Sequence, residues 1–287
     1  CTLGSLVPPS TALILFALLS EQSIGALFIA AIVPAMLAIA LYLGAIRLML
    51  ALRPGLAPEG SAIDGPALLA AAKRCTGAVI LFGAVIGGMY TGVVTDTEAA
   101  SVGAVGAFLF ALIRGQLGGG KLWSVMAETT TTIALIYTLI FGAVIFSFLI
   151  AFTQLPALLS GWIVGMELSA LAVVVLLVLV YLVLGMVMDS YAMMVITVPI
   201  FLPLILHYGY DPIWWGVLTV MVIEIGMITP PIGMNVFVMK AMLPRTKLST
   251  IFAGVAPFIA ADILRLAILV AFPALSLFLV NLFNLPR

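Results

Sequence analysis

The sequence predicts an all-α polytopic membrane protein with an inverted repeat, broken helices and a re-entrant hairpin. Three observations carry that prediction. Hydrophobic residues make up 65% of the chain and charged residues 8%, with mean hydropathy +1.37, whereas soluble domains carry about 25% charged residues. Apolar runs recur that can cross a hydrocarbon core of about 30 Å, which takes about 20 helical residues each. A Gly-x3-Pro-Pro signature occurs twice, in "GSLVPPSTAL" (4–13) and "GMITPPIGMN" (226–235). The near-zero net charge offers nothing to a nucleic acid. Cys1 and Cys75 form neither a disulfide framework nor a metal-ligand pattern, and His207, the single histidine, builds no zinc site. No signal peptide is visible. The chain opens at Cys1 inside a motif-like segment, so further sequence is expected upstream.

The elements follow in order. Residues 1–23 read as the broken helix of a first repeat. Residues 24–75 read as a membrane helix at 24–50 and a polar linker at 52–75, with a short interfacial helix at 66–74. Residues 76–130 hold spans at 76–93 and 98–113 and a basic loop at 114–123. Between the two spans, Thr95-Asp96-Thr97-Glu98 fits a capping box that opens the second. Residues 131–245 hold a span at 131–151, a hairpin at 168–206 with its tip at "GMVMDS", and a second broken helix at 213–243. Asp211 before Pro212 reads as the start of that helix, Trp214 and Trp215 as interface anchors, and His207 as a loop residue. Residues 246–287 read as an arm and a last span at 263–283. The positive-inside rule puts the basic loops at 52–75, 114–123 and 240–247 in the cytoplasm.

Proline inside a helix removes a donor and clashes with the preceding turn, at about 3 kcal/mol. Two adjacent prolines, used twice, therefore mark designed breaks. Each copy continues into a helix with Phe and Pro, "SIGALFIAAIVP" ending at Pro34 and "STIFAGVAP" ending at Pro257. The topology sends the two copies through the membrane in opposite directions, which is the signature of a secondary transporter. Irregular backbone at membrane depth lines a cavity or lies buried in protein. Its carbonyls and helix C-terminal ends suit a cation, and helix N-terminal ends suit an anion. The candidates are Gly4, Ser5, Pro8, Pro9, Ser10 and Thr11 at the first break. At the second they are Gly226, Thr229, Pro230, Pro231, Gly233 and Asn235.

Acids inside a membrane are costly and are read as functional by default. Asp189 at the hairpin tip and Glu224 before the second break are the two singled out. Asp189 also fits an N-cap for the limb beginning at 190, and Glu224 also fits a buried structural hydrogen bond. The methionines at 186–194 read as packing.

At these residues the chain resembles a known family. "GMVMDSYAMMVITVPIFLPLILHYGYDPIWWGVLTVMVIEIGMITPPIGMNVFV", "YTGVVTDTEAASVGA" and "TLGSLVPPST" are similar to motifs of the large membrane subunit of tripartite ATP-independent periplasmic (TRAP) transporters. The resemblance implies an elevator-type, sodium-coupled importer in the bacterial inner membrane. It implies work with a small membrane subunit and a periplasmic substrate-binding protein, and C4-dicarboxylates or sialic acid as substrates. Sodium, as the transported coupling ion, is implied at Gly4, Pro8, Pro9 and Ser10. It is also implied at Gly185, Asp189, Glu224, Gly226, Thr229, Pro230, Pro231 and Gly233. The small anionic substrate is expected at Ser10, Asp189, Ser190 and Asn235. A first hairpin is expected upstream. The scaffold is expected to include 24–50, 76–113 and 263–283.

The competing reading is a single-component sodium/dicarboxylate symporter of related architecture. An enzyme is not expected. Asp189 lacks the Gly-x-Gly-Asp setting of an intramembrane aspartyl protease, and His207 offers no Ser–His pair. A passive channel would not require breaks repeated at inverted positions.

Overall fold

Local capping chemistry sets six helix starts in the computed structural model, which describes residues 2–53, 55 and 65–283. Much of the polar linker, at 54 and 56–64, lies outside the described residues, as do Cys1 and 284–287. The described residues form helices and no strand. They are α1 (Thr2–Leu6), α2 (Thr11–Ser20), α3 (Ile24–Leu52), α4 (Gly65–Tyr90), α5 (Asp96–Ile113), α6 (Lys121–Phe152) and α7 (Leu155–Gly165). There follow α8 (Ala170–Gly185), α9 (Ser190–His207), α10 (Pro212–Ile228), α11 (Met234–Met242), α12 (Leu248–Ala271) and α13 (Ala274–Leu282). Ser10, Ser23, Thr95, Ser169, Asp189 and Asp211 each accept a backbone N–H of the helix that follows. The expected capping box is present, with the Thr95 N–H donating to Glu98 Oε2 at 2.8 Å. Among the described residues five helices are long and apolar enough to cross a membrane: α3, α5, α6, α9 and α12.

The chain divides into two units. One comprises Gly55–Tyr137. Within it α4 packs on α5 through small residues. The Phe110 ring fills the place of a side chain at Gly77, and Leu81 does so at Gly106. Small-residue contacts of this kind let membrane helices approach closely.

The other unit comprises Cys1–Pro54 and Thr138–Arg287. Its centre is α10, buried on every face from Ile213 to Gly226. A helix apolar all round belongs in such a position. Around it pack α8, α12, α3, α1, α2 and α9. The prolines at 34, 199, 203 and 257 lie inside helices, which membrane helices accommodate when neighbours satisfy the freed groups.

Several expectations are corrected. The span 263–283 is two helices: α12 begins at Leu248, runs through Pro257 and Asp262, and ends at Ala271 before Pro273. Asp262 does not interrupt α12 because its charge is met. Arg265, one turn on, lies 2.9 Å away, and the Tyr42 hydroxyl of α3 donates to Asp262 at 2.5 Å. All of Asp262 and Arg265 but 1% and 3% is buried. The short helix expected at 66–74 is the first part of α4, with Pro66 in its first turn, where its missing N–H costs nothing. The span expected from 131 begins at Lys121, and α7 was not expected as a separate helix. Trp214 and Trp215 are not interface anchors. Both are 1% exposed, and Trp214 Nε1 donates to Leu269 O at 3.0 Å. His207 lies in the last turn of α9 and not in the loop, which starts at Tyr208.

Candidate functional site

Both Pro-Pro segments break a helix, as their composition requires. The first parts α1 from α2 over residues 7–10, and the second parts α10 from α11 over 229–233. The Pro8–Pro9 and Pro230–Pro231 bonds are both cis. At the first break Ser10, 2% exposed, accepts the Leu13 N–H at 3.2 Å and donates to the Ser5 carbonyl. The Ser5 hydroxyl faces Glu224. Pro8 is buried, whereas Gly4 and Pro9 are exposed.

At the second break Thr229 closes α10. Its N–H donates to Gly226 O at 3.1 Å and its hydroxyl to Ile225 O at 2.6 Å. Pro230 and Pro231 are exposed. Gly233 starts α11 in the left-handed region, φ 58°, with no side-chain cap. The C-terminal turn of α8 lies against α10 here. A Cβ on Gly226 would stand 2.8 Å from Gly185 Cα, so only glycine admits this crossing. The C-terminal ends of α8 and α10 are thereby brought side by side.

The hairpin tip, between α8 and α9, touches both breaks. Asp189, exposed, caps α9 by accepting the Tyr191 N–H at 3.0 Å. The Ser190 hydroxyl donates to Met227 Sδ at 3.1 Å, on α10. The Tyr191 hydroxyl hydrogen-bonds Thr11 Oγ1 at 2.8 Å, on the first turn of α2. The N-terminal ends of α2 and α9 thus meet at this pair. Helix C-termini carry partial negative charge and N-termini partial positive charge. The Gly185–Gly226 contact is therefore cation-philic, and the Thr11–Tyr191 contact anion-philic.

Six of the sequence candidates are drawn together. Gly185, Ser190 and Gly226 share one contact region, and Ser5, Ser10 and Glu224 share another. Glu224 is 6% exposed. Asn235 is placed apart. It lines a cavity of about 330 Å³ with Leu3, Tyr42, Ile228 and Phe258, which none of Ser10, Asp189 or Ser190 lines. Among the described residues no three His, Cys, Asp or Glu side chains cluster. A cation at either break would rest mainly on carbonyl and hydroxyl oxygens, with two carboxylates at most.

Sequence reasoning missed Tyr191 and the Tyr42–Asp262–Arg265 cluster. An acid and a base at i, i+3 inside an apolar run are the available signal for the second. Nothing local marks Tyr191, whose partner is 180 residues away.

The model for the DctM component of tripartite ATP-independent periplasmic transporters matches residues 1–275. The chain is 32% identical over 281 residues to the C4-dicarboxylate TRAP transporter large permease protein DctM of Pseudomonas aeruginosa, covering 98% of the chain and 65% of that protein. It is 30% identical over 288 residues to the sialic acid TRAP transporter large permease protein SiaM of Vibrio cholerae, covering 99% and 66%. It is 31% identical over 287 residues to the sialic acid TRAP transporter permease protein SiaT of Haemophilus influenzae, covering 98% and 46%. The chain spans less than two thirds of the length of these relatives.

Proposed function

The chain belongs to the DctM component family of tripartite ATP-independent periplasmic transporters, and on that premise we propose that it imports a small organic acid coupled to sodium. It works in the bacterial inner membrane as a multi-pass protein. Its partners are a small membrane subunit and a periplasmic binding protein that delivers the substrate. The substrate class is that of C4-dicarboxylates or sialic acid, the acids for which the relatives are named. Both are carboxylates, and both suit the meeting N-terminal ends of α2 and α9.

The observation that carries this reading is the sorting of helix ends by polarity. C-terminal carbonyl ends converge at Gly185–Gly226, and N-terminal amide ends converge at Thr11–Tyr191. Sodium at the first break draws on Gly4, Pro8 and Ser10. At the second it draws on Gly185, Asp189, Glu224, Gly226, Thr229, Pro230 and Gly233. The substrate takes Ser10, Asp189 and Ser190. Ion binding orders the hairpin tip and completes the anion site. The two breaks then move together across the membrane as an elevator. The moving body is 1–23 and 131–245, against a scaffold of 24–75, 76–130 and 246–287.

The test is uptake of labelled succinate and N-acetylneuraminate into proteoliposomes holding the full-length protein and its small subunit. The expected result is uptake of one acid that requires both an inward sodium gradient and the binding protein. Full uptake without the binding protein favours a single-component symporter instead. Thr229→Ala and Asp189→Ala should each raise the sodium concentration for half-maximal uptake. Unchanged sodium dependence in both variants removes this assignment of the ion site.

A further inference from the structure

Three consecutive residues at the hairpin tip make three different attachments. Asp189 fixes the first turn of α9 by accepting the Tyr191 N–H. Ser190 reaches α10 through Met227 Sδ at 3.1 Å, one residue beyond Gly226. Tyr191 reaches α2 through Thr11 Oγ1 at 2.8 Å, one residue beyond the cap Ser10. The tip is thus held to the last turn of α10, beside the second break, and to the first turn of α2, beside the first. Tyr191 is half-buried and Thr11 exposed, and α2 packs along α9 behind them. The phenol therefore sits against a packed helix pair and is not a free surface group.

We propose that the Thr11–Tyr191 hydroxyl pair couples the two breaks, so that a cation held at one raises the affinity of the other. The inference rests on the reading above that cations bind at both breaks. Tyr191 is a positioning residue in this scheme and touches no ion itself. The physical basis is the reciprocity of coupling between sites. If occupancy at the second break favours one placement of the tip, and that placement favours the bonded geometry at Thr11, each site must help the other equally. One neutral hydrogen bond is worth a factor of about two to ten in an equilibrium constant. Coupling carried by this bond therefore has that ceiling.

The experiment titrates the full-length protein in detergent micelles with sodium chloride, choline chloride keeping the ionic strength constant. The fraction still folded at one fixed temperature within the melting transition is the readout, because a ligand of the folded state shifts that equilibrium. Wild type should give a sigmoidal sodium curve. Tyr191→Phe and Thr11→Val should each flatten it towards an uncoupled shape and move its midpoint up by about 1.5- to threefold, the square root of the coupling factor. The double variant should do no more than either single one, since both remove the same bond. Thr11→Ser, which keeps the hydroxyl, should restore the wild-type curve. The melting temperature without sodium should stay close to wild type in all four, which separates coupling from a loss of folding. A sigmoidal wild-type curve that Tyr191→Phe leaves unchanged overturns the coupling alone, as does a double variant that adds the two single effects. A wild-type curve flat in sodium overturns the sodium reading itself and this proposal with it.

Discussion

At the first break a single side chain closes the loop. Ser10 accepts from Leu13 N and donates to Ser5 O, so its hydroxyl bridges the two sides of the break. At the second break, Thr229 turns its hydroxyl back onto Ile225 O, and α11 begins at Gly233 with no side-chain cap. The N-terminal amides of α11 have no side-chain cap. The glycines differ as well. Gly226 is pressed against Gly185, whereas nothing lies within 4 Å of a Cβ built on Gly4. The downstream helices differ too, since α12 carries Asp262 and Arg265 while α3 offers the Tyr42 hydroxyl to them. The same motif thus breaks a helix twice with a cis Pro-Pro bond, and the neighbours decide which copy is packed, capped or charged.

The largest expected effect tests the charged asymmetry. Asp262→Ala strands Arg265 at 3% exposure, and removing one partner of a buried pair costs about 3–5 kcal/mol. Tyr42→Phe removes one hydrogen bond to a charged group and should cost about 1.5–3 kcal/mol. Unfolding in micelles by heat or sodium dodecyl sulfate measures both. Equal losses in the two variants would contradict the view that the second copy carries the charge.

Next is the glycine pair. Gly226→Ala places a methyl 2.8 Å from backbone at Gly185, and overpacking of this kind costs about 1–3 kcal/mol. Gly4→Ala meets open space and should stay within about 0.5 kcal/mol of wild type. The same unfolding assay separates them, and similar behaviour of the two would erase the packing difference between the breaks.

The smallest effect sharpens the contrast in capping. Ser10→Ala loses an N-cap and a bond across the break, for about 1 kcal/mol. Thr229→Val loses only a bond to the preceding turn and should stay within about 0.5 kcal/mol in stability. A Thr229→Val loss as large as that of Ser10→Ala would show the two hydroxyls to be equivalent.

Much of the fold was legible along the chain. The membrane class followed from composition, the breaks from paired prolines, and the starts of α5, α9 and α10 from Thr95, Asp189 and Asp211. Where the chain was misread, a local signal was overridden by a distant neighbour. Asp262 resembled the edge of a span until Tyr42, 220 residues away, and Arg265 met its charge. Trp214 and Trp215 resembled interface anchors until α12 supplied a carbonyl and α8 a packing surface. For the site, the candidate residues could be named but not grouped. Asn235 belonged with Ser10 and Asp189 by motif, yet the cavity it lines includes neither.

By itself the sequence determined the membrane setting, the two breaks, the caps and the repeat. Each rests on hydrogen-bond chemistry or apolar periodicity within a few residues, which the chain carries wherever it lies. The tertiary structure alone decided that α10 is central, that Gly185 meets Gly226, and that Tyr191 meets Thr11. It also decided that Asp262 is buried as part of a pair. Those outcomes depend on contacts between segments far apart in the chain, which close packing selects and no local pattern records.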